Sequence, residues 1–547
     1  MAISKIRIRN FKGFKGLFKL ELNKGLNILV GDNETGKSTI LEAIHLALTG
    51  LYGGKYIQNE LSQYLFNKEV VEEYLKSVNE GSALEPPCVL IEIHFDGSIN
   101  PEFEGDSNTD LASKVEGLQF KIAYSDKYND EYQSVVNTKK LSSLPIEYYE
   151  ASWISFARQQ ITVRSIPIKS AMIDSSNYRY QNGSDVYISR IVKDLLSPEE
   201  ITSMAQAHRS MRDSFVRNDT IKAINERISK GSTIIDGKVS ISVDLGTKNA
   251  WENSLVTQIE NIPFGYIGKG AQCAVKTELA LTHKRAQNAS IILLEEPESH
   301  LSYSKLNQLI AAIEDKYSDK QIIISTHNSF VANKLNLNNI VLLDNHETVK
   351  IKDLASADFF KKVAGYDTLR LMLCKKALLV EGDSDELVVQ KAYMQQNGGR
   401  LPIQDGIDVI SVGTSFLRFL EIANCLKRPA SVVTDNDGDI EALKKKYADY
   451  LGDNQKPFIK ICFDEAVDLG PLKIGTTDYN YNTLEPKMLK ANSRDLFNRI
   501  FGTKYTNDDD LRKYMNQNKT ECAMAIFDTT ETIVFPDYIL EAIKTDE

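Results

Sequence analysis

Three aspartates stand one residue apart in the stretch SVVTDNDGD, residues 431–439, directly behind a short apolar run. Carboxylates gathered in this way repel one another unless a divalent cation draws them together. An Asp/Asn/Gly turn is the other reading of the same residues. An EF-hand is excluded, because it needs glycine at the sixth position and glutamate at the twelfth, and counting from Asp435 those are Ile440 and Lys446. Earlier in the chain, ALLVEGDSDE (377–386) is a second apolar run; it ends in Glu381, passes through Gly382 and opens a helix bearing Asp385 and Glu386. A third run, IDVISVGTSF (407–416), lies between the two. Strands alternating with helices make a parallel sheet, whose C-terminal edge gathers Glu381, Asp435 and Asp437.

A different chemistry precedes this one. In GDNETGKSTILEAIHLALTG, Gly31, Gly36, Lys37 and Ser38 fit the spacing G-x-x-x-x-G-K-S, with Asn33 inside the loop and Thr39 behind it. Such glycines let backbone N–H groups curl around phosphates, the lysine neutralises β and γ oxygens, and the serine holds Mg²⁺. The elements this loop needs are present: the apolar strand LNILV before it, and after it a helix whose Ile40, Leu41, Ile44 and Leu48 recur at helical spacing up to a stop at Gly50. Far downstream, Ile291–Leu294 make a buried strand ending in Glu295 and Glu296, placed to reach Mg²⁺ through water and to polarise an attacking water. A further apolar strand ends in Ser325-Thr326-His327, and the glycine-rich GYIGKGAQ (265–272) lies upstream.

At 547 residues the chain exceeds what one hydrophobic core serves, so two or three domains are expected. A hydrophobic content of 42% with both charge signs abundant excludes a disordered chain. The net charge of −10 speaks against a basic nucleic-acid coat but leaves room for a local basic channel; Lys375-Lys376, Lys427-Arg428 and Lys444 to Lys446 are the candidate phosphate contacts. The six cysteines are scattered without a C-x-x-C pair, which suggests neither a zinc ribbon nor a disulfide framework and fits a reducing cytoplasm. The first residues lack the apolar core of a signal peptide, and no apolar run approaches the roughly 20 residues of a membrane span, so a cytoplasmic protein without membrane contact is expected.

The four nucleotide-side pieces, in this order, resemble the ABC-type ATPase heads of the SMC and RecF group. That resemblance makes Gly31 to Ser38 the Walker A loop, Glu295-Glu296 the Walker B pair and His327 the switch histidine. Gly268, Gly270 and Gln272 take the signature position, although the leading serine of that motif is replaced by glycine. Such heads close on ATP between two protomers, which implies a homodimer or higher homo-oligomer. The later stretch resembles the Toprim domain, and a head followed by Toprim in one chain resembles the OLD (overcoming lysogenization defect) nucleases, a family that includes the nuclease subunit of the Gabija defence system. In that resemblance Glu485 of NTLEPKML is an additional acid, and Lys519 opens a K-x-x-x-A element ending at Ala523. Gly413-Thr414 departs from it where a glycine pair is usual.

The implied fold is α/β: an ABC/SMC-like head with a helical insertion, then a Toprim domain with a parallel sheet. The expected boundaries are 1–160 and 237–360 for the two parts of the head, 161–236 for the insertion, read as a dimerisation element, and 370–547 for Toprim. SPEE (197–200) reads as a capping box within the insertion. The implied function is an ATP-regulated, Mg²⁺- or Mn²⁺-dependent DNA endonuclease in anti-phage defence, controlled by a second protein or nucleic-acid component. Glu381, Asp435 and Asp437 hold a first metal ion, Asp385 and Glu485 lean toward a second, and Lys519 steadies the phosphate or the leaving oxygen. The alternative is an SMC/RecF-like DNA-repair ATPase whose Toprim domain binds nucleic acid without cutting it.

Overall fold

The computed structural model describes residues 1–31, 34–82, 84–97, 100–112, 114–174, 196–231, 240–242, 258–282, 287–299, 301–316, 319–326, 339–344, 347–350 and 366–544. Two compact units divide the chain: residues 1–29 and 33–331, and residues 332–547 together with the short run 30–32. No described helix is long and apolar enough to cross a membrane.

Two large sheets dominate the described residues of the first unit. One is antiparallel, in the order β2 (Leu17–Glu21), β1 (Ile3–Arg9), β4 (Val89–Phe95), β5 (Val115–Tyr124), β6 (Tyr149–Ser155). The other runs β7 (Ser170–Asp174), β8 (Ile291–Glu295), β9 (Gln321–Thr326), β3 (Leu26–Val30), with β7, β8 and β9 parallel. The apolar runs at 26–30 and 291–294 are buried throughout, as the strands of a covered parallel sheet must be. Helix α1 (Lys37–Thr49) follows β3 and stops at Gly50, which adopts the left-handed conformation (φ 68°) and donates to the Leu46 carbonyl at 2.8 Å. Two helices, α2 (Pro198–Arg217) and α3 (Asp219–Gly231), form the described part of the insertion, and the Ser197/Glu200 capping box is present in full.

The insertion begins later than the sequence suggests. Residues 161–174 belong to the head, since Ser170–Asp174 pairs residue for residue with Ile291–Glu295. A short strand whose partner lies more than a hundred positions away carries no local signal of its pairing.

The second unit is built on a four-stranded, all-parallel sheet in the order β11 (Ile407–Ser411), β10 (Lys376–Val380), β12 (Ala430–Val433), β13 (Ile459–Cys462). Helix α7 (Asp383–Gln396) leaves β10, and behind β13 come α10 (Leu484–Ala491), α11 (Arg494–Phe501), α12 (Asp508–Gln517), α13 (Lys519–Asp528) and α14 (Asp537–Ile543). Val388 and Val389 of α7 join Met488, Phe497, Ile526 and Ile539 in one core that fixes these helices on the sheet. In the first unit α5 (Tyr303–Lys316) joins β8 to β9; in the second, α6 (Tyr366–Leu373) precedes β10, α8 (Phe416–Cys425) joins β11 to β12, and α9 (Ile440–Lys446) follows β12.

One bond ties the antiparallel sheet to the helix behind the phosphate loop. Trp153 on β6 donates its indole N–H to the Ala47 carbonyl at 2.9 Å, and its ring lies 4.9 Å from that of Phe120. Ala47 is in the last turn of α1, where carbonyls have no helical partner of their own. Trp153→Phe keeps the ring contact and strands that acceptor, so the unfolding free energy should fall by about 1–3 kcal/mol in a denaturant titration of the full-length protein. An unchanged midpoint and slope would remove this bond from the account.

Candidate functional site

The phosphate loop is set by steric requirement. Gly36 sits at φ 96°, and a Cβ placed there would meet Phe14 Cζ at 2.6 Å, so only glycine fits between Phe14 and the start of α1. Lys37 is 6% exposed, Ser38 and Thr39 occupy the first turn of α1, and Gly31 lies directly after β3. Asn33 and His327 lie outside the described residues. Glu295 ends β8 opposite Ser325, and Glu296 donates its backbone N–H to the Ser325 carbonyl at 3.0 Å while holding φ 41°, a conformation costly for a non-glycine residue. The next turn is fastened to β9 by a hydrogen bond from Thr326 Oγ1 to the buried Glu298 carboxylate.

Helix α4 (Lys269–Thr282) starts at the glycine-rich stretch, with the Gly268 carbonyl accepting from Gln272 N at 3.1 Å and Gly270 in its first turn. Gln272 is read from sequence as a nucleotide contact, but its amide donates to the carbonyls of Phe264 and Ile267, each at 3.0 Å. Its observed role is to hold the loop before α4.

In the second unit all six residues expected at the acidic centre come together. Adjacent strands β10 and β12 run parallel with Leu379 opposite Val432, which brings Glu381 and Asp435 to neighbouring strand ends. The Gly413 N–H donates to the Glu381 carbonyl at 3.0 Å from the left-handed region (φ 56°). Thr414 has no such φ, so no second glycine is required there. Asp385 is fixed by the Gly382 N–H (2.9 Å) and Asp435 by the Leu484 N–H (3.3 Å). Asp437, at φ 48°, accepts from Asn480 Nδ2 at 2.9 Å. Glu485, 7% exposed, faces Lys519 across 3.2 Å and accepts from Thr483 Oγ1. Asp439 caps α9 by accepting from Ala442 N at 2.9 Å, which removes it from the centre.

Electrostatics follow from this crowding. Burial, then the charges of Glu485 and Glu381, push the Asp385 carboxyl up to about 6 against the opposing Gly382 hydrogen bond. Asp435 is raised well above the usual range, by burial first and then by Asp385, Glu485, Asp437 and Glu381. Burial works against the Lys519 ammonium, yet Glu485, Asp435 and Asp385 hold its pKa above the ordinary lysine value. One lysine among five carboxylates leaves a surplus of negative charge. The donors are all carboxylate oxygens, the set that suits Mg²⁺ or Mn²⁺. Among the described residues no three His, Cys, Asp or Glu side chains form a ready-made metal-binding group.

The sequence does not mark Asn480, which donates to Asp437, or Tyr538, whose hydroxyl is driven far up by burial and by Asp435 and Asp385 and so stays protonated beside them; nor does it mark Asn436 and Lys487, which bond to the loop 464–468 next to the acidic turn. Among the basic residues, Lys376 donates to the carbonyls of Ala542 (3.0 Å) and Lys544 (2.6 Å), and Arg428 to that of Met372 (3.0 Å), which gives both a structural role. Lys444, Lys445 and Lys446 are exposed at the end of α9.

The AAA domain profile matches residues 5–369, and the profile described as overcoming lysogenization defect protein-like, TOPRIM domain, matches residues 372–437. The DNA replication and repair protein RecF of Vibrio cholerae is 29% identical over 133 residues, 23% of this chain; the match spans 35% of the RecF chain. The Retron Vc95 probable ATPase of V. cholerae is 22% identical over 441 residues, covering 71% of this chain and 83% of its own. A solved Smc head domain from Pyrococcus furiosus, with an extended coiled coil and bound to the C-terminal domain of ScpA, covers 66% of this chain and all of its own at 13% identity and a TM-score of 0.34. The phosphate loop, the Glu295 strand and the acid-edged parallel sheet thus lie where the two profiles place an ATPase and a Toprim domain: the chain belongs to the AAA domain family, with an overcoming-lysogenization-defect-protein-like Toprim domain behind it.

Proposed function

We propose that the chain is an ATP-regulated DNA endonuclease that depends on Mg²⁺ or Mn²⁺ and acts in anti-phage defence. The observation that supports this reading is the crowding of Glu381, Asp385, Asp435, Asp437 and Glu485 with Lys519 at one edge of a parallel sheet. The defence role is supported by the lysogenization defect in the name of the matching Toprim family and by the likeness to a chain named for a retron.

Glu381, Asp435 and Asp437 would hold one cation, and Asp385 and Glu485 would lean toward a second. The chemistry that such a bound pair supplies is Lewis acidity toward the phosphodiester and a lowered pKa for water. The protein's own part is positioning and charge. Backbone N–H groups of Gly382 and Leu484 aim Asp385 and Asp435, Asn480 turns Asp437, and the Lys519 ammonium offers a donor to a phosphate or leaving oxygen. ATP would be held by Gly31 to Thr39, with Glu295, Glu296 and His327 serving its hydrolysis, and a second protomer, paired through the helical insertion, would complete the nucleotide site with Gly268 and Gly270. DNA, a homodimer and a defence component are the partners in this reading.

Incubating the full-length protein with plasmid and single-stranded DNA, with Mg²⁺ or Mn²⁺ and with or without ATP, tests it. Asp435→Ala should end cleavage with ATP binding near normal, and Lys519→Ala should slow cleavage about 10²- to 10³-fold. Wild-type cleavage by Asp435→Ala would favour the RecF-like, non-cutting alternative.

For the nucleotide side, Lys37→Ala should abolish ATP binding, whereas Glu296→Gln should bind ATP and accumulate the closed dimer. Calorimetry and size-exclusion chromatography read these out; unaltered affinity in Lys37→Ala sinks the phosphate-loop assignment.

The acidic turn gives a contrast between neighbours. In thermal unfolding with EDTA and then rising Mn²⁺, Asp437→Asn should blunt the metal-dependent rise, since an amide binds a hard cation less well than a carboxylate. Asp439→Asn should keep that rise, because its side chain caps α9 and an asparagine caps equally well. Equal insensitivity of wild type and both variants would make the stretch a plain turn.

A further inference from the structure

A long polar loop between β13 and α10 is braced directly against the acidic turn. Asn436, between the two ligand aspartates, is 3% exposed; its Nδ2 donates to the carbonyls of Asp464 (2.6 Å) and Ala466 (3.1 Å), and its Oδ1 accepts from Gly438 N (2.9 Å). Lys487, also 3% exposed, donates to the same Ala466 carbonyl (2.7 Å) and to the carboxylates of Asp464 and Asp468 (2.7 Å each). Its three N–H donors therefore meet three acceptors, the condition under which a buried ammonium is tolerated. Asn482 closes the far side by pairing with both the N–H (2.7 Å) and the carbonyl (3.0 Å) of Asp468.

One carbonyl, that of Ala466, thus receives a hydrogen bond from the turn that carries Asp435 and Asp437 and another from the helix that carries Glu485, two residues before Lys487. We propose that Asn436 and Lys487 are positioning residues that clamp the turn to α10 and thereby set the spacing between Glu485 and the Asp435–Asp437 pair. This rests on the acidic centre being a divalent-metal site. A clamp is needed because the acids repel one another and cannot set their own separation. A fixed separation favours Mg²⁺, which demands near-octahedral geometry, over Ca²⁺, which accepts irregular coordination.

The test is the metal-dependent rise in melting temperature of the full-length protein, titrated separately with Mg²⁺ and Ca²⁺. Asn436→Ala and Lys487→Met should raise the half-saturating Mg²⁺ concentration about 10- to 100-fold, the range that loss of groups orienting a metal site produces. The Ca²⁺ value should move less, and Lys487→Arg, which keeps donors for all three acceptors, should recover most of the Mg²⁺ response. A purely structural role would lower the metal-free melting temperature and leave both half-saturation values at wild type; that result overturns the proposal alone. A wild-type protein without any metal-dependent rise overturns the metal-site reading and the clamp together.

Discussion

Like-charge repulsion at the C-terminal edge of one parallel sheet is the constraint on which the second unit depends. Topology forces the carboxylates together: β10 and β12 are neighbours and parallel, so the residues that follow them must meet. Every feature around that edge answers the resulting charge. Backbone N–H groups at Gly382 and Leu484 point at two of the acids, Lys519 stands against Glu485, and Asp385 and Asp435 are held toward their protonated forms. The remaining surplus of negative charge suits a hard cation.

The first unit solves the opposite problem, a place for anionic phosphate. Gly36 under Phe14 leaves no room for a side chain, α1 presents its N-terminus, and the strained Glu296 stands at the end of a strand two places from β3 in the same sheet. Rigid elements carry both sites. Trp153 anchors the end of α1, and the core around Val388, Met488 and Phe497 anchors the helices that bear Asp385, Glu485 and Lys519.

Local chemistry was the legible part of the sequence. Phosphate-loop spacing, the stop at Gly50, the Ser197 capping box and the strand-terminal acids are each written in a few adjacent residues. Long-range pairing was not. Ser170–Asp174 joins the head only because a strand beginning at Ile291 accepts it, and the brace at Asn436, Asn480 and Lys487 involves polar residues with no periodicity to mark them. Nor do the residues around Gln272 reveal that its amide donates to two backbone carbonyls, those of Phe264 and Ile267.

The central claim is that the acidic centre is a divalent-metal site, and counting the ions tests it most directly. Mn²⁺ binding to nucleotide-free, full-length protein, followed by electron paramagnetic resonance, should saturate at about two ions per chain, the number in-line phosphodiester hydrolysis by paired metals requires. Both should be lost or greatly weakened in Asp435→Ala. No Mn²⁺ bound by the wild type, or an equal number bound by Asp435→Ala, would contradict the account.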